Sequence, residues 1–540
     1  MLKRATSILL SLILLGGVFI SSERFMNEEN DAKAYFIGFS VILLLLICVF
    51  LRKGLSKLLS AVSTFETKIG FSIVCLILSV YGFVQYTGLI PSGHIAFPIT
   101  GTYENPAGFA AVQAALFPFA ISLSFEKESK YGIRWFSAIT SVVCVVMVVL
   151  SGSRAGFLAI CASLSVVIAL RTNLLSVLKR NYWLWLPLIV FVVISSVLLY
   201  HIKITSANGR LFVWSICWDM IKERPLLGYG IGGFEKHYMD AQAAYFSLHP
   251  DSSCGLLADN IKHPFNEYIK LIINYGIVGL TVSFFLFTAI IKRILKSEEN
   301  VKVIRFGVIS SIFVMCQFSY PFHYAVIWYI AAITIVPVFF KETTDDKGWG
   351  TPKKMQILLS VFLIFLFAML LRMMYLELKW NEMSRRSLAG QTERMLPHYD
   401  IMKPQMRHNP LFLYNYAAEM NYVGRYEESL VLAEECVTMM NDYDVQMLLA
   451  DNHFNLCNYD EALKRYETAH NMCPNRFVPL YKQFKIYKAQ GDTAMMISIG
   501  NEILSKKVKV PSRKIDIILN NVRYEMKIDE GVEAPPDGEG

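Results

Sequence analysis

The sequence predicts an all-α protein in which a polytopic bundle of membrane-spanning helices is followed by a soluble domain of helical repeats. Hydrophobic residues make up 54% of the 540-residue chain and charged residues only 18%, which is less charge than a soluble chain of this size carries. About eleven apolar runs are long enough to cross a bilayer core, which takes roughly 20 residues. A short pattern near the C-terminus also recurs at the spacing of a helix pair.

The apolar runs define the predicted spans. In chain order they are residues 5–21, 34–51, 69–90, 107–124, 134–151, 153–171, 182–201, 268–291, 302–318, 320–340 and 355–376. Lys3 and Arg4 precede the first run, as in a signal peptide, but no clean cleavage site of small residues follows it. We therefore expect a retained anchor.

Basic residues give the spans a direction, because the cytoplasmic loops of membrane proteins are rich in Lys and Arg. With the N-terminus inside, the inner connections hold most of the loop Lys and Arg, whereas the short outer connections hold only Arg24, Lys33 and Arg154. This pattern predicts that the loop at about 202–267 and everything after the last span face outside. The net charge of +8 therefore reflects topology and does not indicate a nucleic-acid partner.

Three regions are predicted along the chain. They are a transmembrane domain at 1–380 that includes the outer loop, helical repeats at 381–527, and an acidic, disordered tail at 528–540. Within the repeats, Gly424–Leu430 recurs 33 residues later as Cys457–Leu463, and a third copy begins at Gly491. The pattern resembles the tetratricopeptide repeat, whose helix pairs recur about every 34 residues and stack into a concave binding surface.

Two short outer connections carry candidate site residues. Asn105-Pro106 is a turn signal ahead of a span, so Asn105 belongs either to a plain loop or to a binding site. Arg154 lies in Ser151–Gly156, a very tight connection between two spans. Its guanidinium could snorkel to the membrane interface or bind a phosphate through its bidentate fork. The small residues around it would let a bulky headgroup approach, which favours the second interpretation.

The long outer loop holds two more arginines. From Leu211 to Ile221 the apolar residues have helical spacing, which predicts an amphipathic helix along the membrane surface. Arg210 would lie near its N-terminus and form an anion site there. Arg224 precedes the glycine run Gly228–Gly233, which resembles a phosphate loop. Because that run follows a helix and lacks the Walker lysine, a turn is the better interpretation.

His263 is the candidate base at the end of this loop. Pro264 suits the first position of a helix, which would place His263 at the cap. There it would serve either as a capping residue or as a general base on a hydroxyl. Asn266 and Glu267 follow it, and His249 and His323 are reserve candidates for the same role.

Together these segments resemble the O-antigen ligase and O-antigen polymerase superfamily, which includes the bacterial protein O-oligosaccharyltransferases. The carrying residues are Ser151–Gly156 with Arg154, Arg210 ahead of Pro225–Gly230, and the block of His263, Asn266–Tyr268 and Gly276–Gly279, with Asn105-Pro106 as the upstream turn. The resemblance covers most of residues 60–340. Two departures stand out: Phe265 occupies the place before the asparagine where the family often has histidine, and Asn274 replaces a frequent glutamate.

The resemblance implies a GT-C-like bundle that moves an oligo- or polysaccharide from undecaprenyl diphosphate to an acceptor hydroxyl, with inversion. No acidic cluster suggests a metal, and Trp218-Asp219 does not make the Trp-Trp-Asp motif of metal-dependent oligosaccharyltransferases, so we expect no metal or other cofactor. It implies that Arg154 and Arg210 bind the diphosphate and stabilise its developing charge, while His263 takes the acceptor proton. The further residues expected to bind substrate are Asn266, Glu267, Arg224, Asn105 and His323.

The acceptor stays open. Lipid A-core would make the protein a ligase, a growing glycan a polymerase, and a Ser or Thr on a protein an oligosaccharyltransferase. The repeats could bind a protein partner. The expected location is the bacterial inner (cytoplasmic) membrane, among membrane lipids, with the active face and the C-terminal domain in the periplasm.

Two other classes of protein remain as alternatives. A polysaccharide transporter or flippase would also have many spans, but it would carry polar residues at the bilayer midplane, and these runs hold few charges. The third class is an inactive scaffold whose repeats do the work, against which the presence of Arg154, Arg210 and His263 argues.

Overall fold

The computed structural model describes residues 2–50, 64–126, 129–172, 204–339 and 353–527. These residues form helices and turns, with no strand among them. The chain divides into two compact units. The first unit comprises Met1–His201, Phe265–Tyr268 and Thr281–Glu382, and the second comprises Ile202–Pro264, Ile269–Leu280 and Met383–Gly540.

The helices up to residue 386 include those of the predicted membrane part. They are α1 (Leu2–Phe19), α2 (Asp31–Phe50), α3 (Phe65–Tyr86), α4 (Pro106–Ser124), α5 (Tyr131–Leu150), α6 (Arg154–Arg171), α7 (Ile204–Glu223), α8 (Gly233–Leu248), α9 (Glu267–Ile294), α10 (Glu299–Phe318), α11 (Ala325–Ile335) and α12 (Lys353–Arg386). A 3-10 turn at Pro321–His323 joins α10 to α11.

Eight helices of the described residues are long and apolar enough to cross a membrane, and α1 and α11 belong to shorter apolar helices. Ten of the eleven predicted runs coincide with these helices, whereas the run at 182–201 lies outside the described residues. The all-α, polytopic class is thereby confirmed. The number of spans and their orientation stay predictions.

Helix α4 lies at the centre of the first unit. Phe109 and Phe119 on this helix are fully buried, and the neighbouring helices approach it closely. A Cβ built on Gly156 of α6 would lie only 2.4 Å from the Cβ of Ala110 on α4. Leu10 of α1 is also fully buried in this core, so the first helix is an integral packing element of the unit.

The remaining helices follow in pairs after residue 386. They are α13 (Thr392–Met406), α14 (Pro410–Tyr422), α15 (Tyr426–Val437), α16 (Tyr443–Asn455), α17 (Tyr459–Met472), α18 (Val478–Gln490), α19 (Thr493–Ser505) and α20 (Arg513–Lys527). From α14 to α19 each helix packs against the next one along the chain, as the repeated pattern predicts for stacked helix pairs. Their assignment to the tetratricopeptide family stays a prediction, and the tail at 528–540 lies outside the described residues.

Helices α7 and α8 share one apolar core with the C-terminal helices in the second unit. Phe212 of α7 and Phe246 of α8 belong to the same buried cluster as Tyr443 of α16 and Met472 of α17. Burial of such side chains is the main stabilising contribution to folding. The structure therefore groups residues 202–264 with the C-terminal helices, whereas the sequence places this loop with the transmembrane domain.

Candidate functional site

The start of α4 and the turn after α10 bring two predicted site residues together in the first unit. Asn105 caps α4, because its Oδ1 accepts from the Ala107 N–H at 2.8 Å. Its Nδ2 donates to the Tyr320 hydroxyl at 3.0 Å and to Glu104 Oε1 at 3.3 Å. His323 Nε2 lies 3.7 Å from the same Glu104 oxygen. Glu104 therefore links Asn105 to His323, and the predicted turn is a helix cap with a second contact across the bundle.

A buried lysine belongs to the same end of the first unit, and sequence reasoning missed it. Lys33 is only 2% exposed, and its Nζ donates to the carbonyls of Glu29 and Thr102 at 2.6 and 2.8 Å. Asn30 lies between these residues and His323, with 3.2 Å from its Nδ2 to His323 Nε2. Burial raises the pKa of Glu29, although Lys33 opposes that shift. The available signal was a lone lysine at the head of an apolar run.

Asn266 is the N-cap of α9 and a second asparagine that reaches α10. Its Oδ1 accepts from the Tyr268 N–H at 2.9 Å, and Glu267 is the first residue of the helix. Asn266 is buried, and its Nδ2 donates to the Gln317 carbonyl at 3.0 Å. The predicted binding residue Asn266 therefore has a structural role in fixing the start of α9.

His263 lies in a non-helical segment ahead of that cap. The prediction that Pro264 opens the helix with His263 at its cap is wrong, because Phe265 adopts φ 54°, a left-handed conformation that ends regular geometry. The Trp214 indole N–H donates to the Pro264 carbonyl at 2.8 Å. Trp214 lies one turn after Arg210 on α7, so this bond ties the segment of His263 to the helix that carries Arg210.

Arg210 lies inside α7 rather than at its N-terminus. The helix is already present at Ile204, so the prediction of an anion site at a helix N-terminus beside Arg210 is wrong. The polar residues ahead of Arg210 suggested a loop, yet they continue the helix. Phe212 and Ile216 are buried in the core of the second unit, whereas Trp218 is 59% exposed. The apolar side of α7 thus packs largely against protein.

The glycine run Gly228–Gly233 is a turn that crosses a break in α9. The N–H groups of Tyr229 and Gly230 donate to two carbonyls of α9 at 2.8 Å each. At the break Gly276 has φ 62°, and a Cβ there would lie 2.2 Å from the Leu226 carbonyl oxygen. Only glycine suits both the conformation and the space. The turn interpretation is confirmed.

Arg224 belongs to a small cluster beside this turn. Its guanidinium lies 4.8 Å from the centre of the Tyr229 ring, and the Tyr229 hydroxyl donates to Glu223 at 2.8 Å. The centre of the His237 ring lies 4.9 Å from that of Tyr229, with the two rings tilted by 39°. Burial lowers the pKa of His237, and the cations Lys236 and Arg224 lower it further.

Arg154 is the first residue of α6, directly after a tight turn. Gly152 adopts φ 72° in this turn, and Ser153 caps the helix by accepting from the Gly156 N–H at 3.3 Å. Arg154 is half-buried. Because a Cβ on Gly156 would lie 2.4 Å from the Cβ of Ala110, the small size of Gly156 serves helix packing.

The predicted site residues are thus divided between the two units. Arg154, Asn105, Asn266, Glu267 and His323 belong to the first unit, and Arg210, Arg224, His263 and His249 to the second. In the first unit, the residues from Gln317 to His323 contact both asparagines. His249 ends α8 with its Nδ1 2.9 Å from the Tyr245 carbonyl. In the described part of the chain no three His, Cys, Asp or Glu side chains are placed to hold a metal ion. Metal independence stays a prediction.

Part of the chain that holds these residues is similar to known proteins. Residues 139–284 match the family model described as O-antigen ligase. Two curated relatives carry the name "Putative polysaccharide ligase". The relative from Rickettsia prowazekii (strain Madrid E) is 29% identical over 105 residues, which are 19% of this chain and 23% of that protein. The relative from Rickettsia conorii is 27% identical over 137 residues, which are 25% and 32%.

The matched segments cover less than a third of either relative's length, so the likeness concerns a part of each protein. The family-model match at 139–284 includes Arg154, Arg210 and His263 together with the turn at Gly228–Gly233 and the break at Gly276. Residues 139–284 are thus similar to the O-antigen ligase family.

Proposed function

We propose that the chain is a membrane glycan transferase that moves an oligo- or polysaccharide from undecaprenyl diphosphate to an acceptor hydroxyl on the periplasmic face, without a metal and with inversion. The observation that carries this proposal is the family match at 139–284, because it spans Arg154, Arg210 and His263. These three residues supply the cations and the base that such a transfer needs.

The proposed reaction is a single displacement. The acceptor hydroxyl gives its proton to the neutral imidazole of His263, and its oxygen forms a bond to the anomeric carbon of the donor sugar. The bond from that carbon to the diphosphate oxygen breaks, and its electron pair stays on the diphosphate. Arg154 and Arg210 each offer a guanidinium fork to phosphate oxygens, which stabilises the charge that grows there.

The charges of the membrane helices favour this surface chemistry over transport. Lys33 and Lys68 are the buried charged side chains within the described spans, and both lie in the first turn of their helices. Lys68 is paired with Glu126 at 2.8 Å. A transporter or flippase would instead place functional charges near the bilayer midplane.

Deletion of the gene and complementation in the source bacterium test the proposal. Arg154→Ala and Arg210→Ala should each abolish glycan transfer while the protein stays in the membrane at its normal level. Arg425→Ala is the matched control, because this exposed arginine bonds only Glu428 among the contacts described for it and should leave transfer intact. Wild-type transfer by both Arg154→Ala and Arg210→Ala would refute the proposal.

Glycan analysis of the same deletion strain identifies the acceptor. Lipopolysaccharide without polymer indicates lipid A-core, shortened chains indicate a growing glycan, and secreted proteins that lack their glycan indicate a protein Ser or Thr. Loss of the glycan together with an accumulated lipid-linked intermediate on the inner leaflet would favour a flippase.

A further inference from the structure

The repeats hold the segment of chain that leads to His263. Ala258, Asp259 and Asn260 precede this histidine by three to five residues and have no helix of their own. The Asn475 side-chain amide, in the connection between α17 and α18, donates to the Ala258 carbonyl. The main chain of the loop is therefore bonded directly to a repeat side chain more than 200 residues later.

Asp259 faces two cations from the repeat side. Arg476 Nη2 lies 3.2 Å from Asp259 Oδ1, and Lys509 Nζ lies 3.7 Å from Asp259 Oδ2. The Arg476 guanidinium is itself held over the Tyr443 ring at 4.1 Å. A cation fixed by an aromatic face loses little further freedom when it binds a carboxylate, so this contact constrains Asp259 more than a free surface pair would.

Asn260 adds a third attachment, to the start of α16. Its Nδ2 donates to Asp444 Oδ2 at 3.0 Å and lies 3.5 Å from Asp442 Oδ2. One helix back in the loop, Gln242 is fully buried and donates to the Asp259 carbonyl at 3.1 Å and to the Met472 carbonyl at 2.5 Å. Gln242 thereby joins the loop to the end of α17.

Ala258, beside these polar contacts, is buried among apolar side chains. Ala258 is 1% exposed and belongs to the same buried cluster as Ala469, Met472 and Cys473 of the repeats. On the other side of His263, the Pro264 carbonyl is held by Trp214. The chain is thus held by the repeats before His263, at Ala258, and by α7 directly after it, at Pro264.

We propose that the repeat domain is a positioning element for the transfer reaction: through Asn475, Arg476 and Asp444 it fixes residues 258–260 and thereby the placement of His263. The inference rests on the proposed function of His263. A general base must lie within hydrogen-bond reach of the proton it takes, and a displacement of about 1 Å can lower the rate on the order of a hundredfold. A segment without secondary structure needs such external anchors.

Arg476→Ala in the full-length protein, in lipid nanodiscs, tests the anchor without any substrate. Amide hydrogen exchange over residues 258–264 should rise about tenfold or more, because local opening becomes easier. The matched control is Arg465→Ala. Arg465 is buried to a similar degree, with 28% against 34% side-chain exposure, but it bonds Glu434 within the repeats. Unchanged exchange at 258–264 in Arg476→Ala would overturn the inference.

Transfer in the complemented deletion strain tests the consequence. Arg476→Ala should lower transfer on the order of ten- to a hundredfold, and Arg476→Lys should restore part of it because a cation again faces Asp259. In a His263→Ala background, Arg476→Ala should cause no further loss, since both act through one group. Raised exchange with normal transfer would also overturn the inference.

Two further results separate failure of the proposed function from failure of the inference about the repeats. If the wild-type protein transfers no glycan, the proposed function fails, while the exchange experiment still decides whether the repeats fix this segment. If Arg476→Ala does not reach the membrane, the nearly isosteric Asp259→Asn replaces it, with the same rise in exchange expected and the same null result counting against the proposal.

Discussion

Two of the candidate histidines, His263 and His323, are held in different ways. In the first unit, His323 lies in a short 3-10 turn, and its ring contacts Asn30 and Glu104 at the ends of other helices. In the second unit, His263 lies in a segment without helix or strand, whose anchors are Trp214 and repeat residues such as Arg476. The position of His323 is therefore set by the ends of helices in its own unit. The placement of His263 instead depends on Asp444, Asn475 and Arg476, which follow it in the chain by more than 170 residues.

The largest expected effect distinguishes the two histidines directly. His263→Ala should lower glycan transfer roughly 10²- to 10⁴-fold, which is the usual contribution of a general base. His323→Ala should lower it less than about tenfold, because His263, and not His323, takes the acceptor proton in the proposed mechanism. Transfer is measured as glycan product in the complemented deletion strain at matched protein levels. The reverse order of the two losses would transfer the role of base to His323.

The broken helix in the second unit provides the next test. Gly276→Ala should destabilise this unit by more than about 3 kcal/mol, because the new Cβ would meet the Leu226 carbonyl at 2.2 Å and the residue would need φ 62°. Gly230→Ala is the control, with φ 89° but open space around it, and should cost only about 1 kcal/mol. Chemical denaturation, followed by exchange within residues 225–280, measures both. Equal losses of stability in the two variants would mean that the positive φ, and not the close approach of Leu226, is the reason for glycine at position 276.

The sequence was sufficient where a feature depends on near neighbours. Apolar runs predicted the membrane helices, the Asn105-Pro106 pair marked the start of α4, and the glycine run marked a turn. Each of these depends on residues within one or two turns. The errors at the N-terminus of α7 and at the cap of α9 are also local. Polar residues after Ile204 continue a helix, and the left-handed Phe265 moves the cap from His263 to Asn266.

Contacts between residues far apart in the sequence could not be predicted from the sequence alone, for a physical reason. Nothing in the local pattern around Asp259 indicates that Arg476 will face it, because the contact forms only when the loop and the repeats fold together. The same holds for Lys33, whose burial requires the carbonyl of Thr102. Periodicity reports which face of a helix is apolar, but it does not report which distant segment covers that face.

A smaller effect is expected at the cap that precedes α9 in the first unit. Asn266→Ala removes the acceptor for the Tyr268 N–H and the donor to the Gln317 carbonyl, which should cost about 1–2 kcal/mol. Asn266→Asp keeps the capping oxygen but turns a carboxylate toward the Gln317 carbonyl. It should therefore recover little stability. Asn409→Asp is the comparison, because Asn409 caps α14 and its described side-chain bonds are both accepted by Oδ1, which aspartate retains. Thermal unfolding of the three variants should rank Asn409→Asp as the mildest, and a milder Asn266→Asp would show that capping alone matters.

The smallest predicted effect concerns acid and the repeats that hold His263. Burial lowers the pKa of His470 on α17 to about 3 from its ordinary 6.5, and the positive charge of Lys506 lowers it further. The Glu502 carboxylate, 3.5 Å from His470 Nε2, favours the charged imidazole but does not outweigh burial. The unfolded chain binds more protons than the folded one between these two values, so this contribution to stability is complete above pH 6.5 and declines as the pH falls toward 3. The loss should be on the order of 1 kcal/mol by pH 5.5, seen as faster exchange in α17 and then in residues 258–264, after correction for intrinsic rates. His470→Gln should abolish the difference between pH 7.5 and pH 5.5 in α17, whereas a difference that persists in this variant would assign the acid sensitivity to another group.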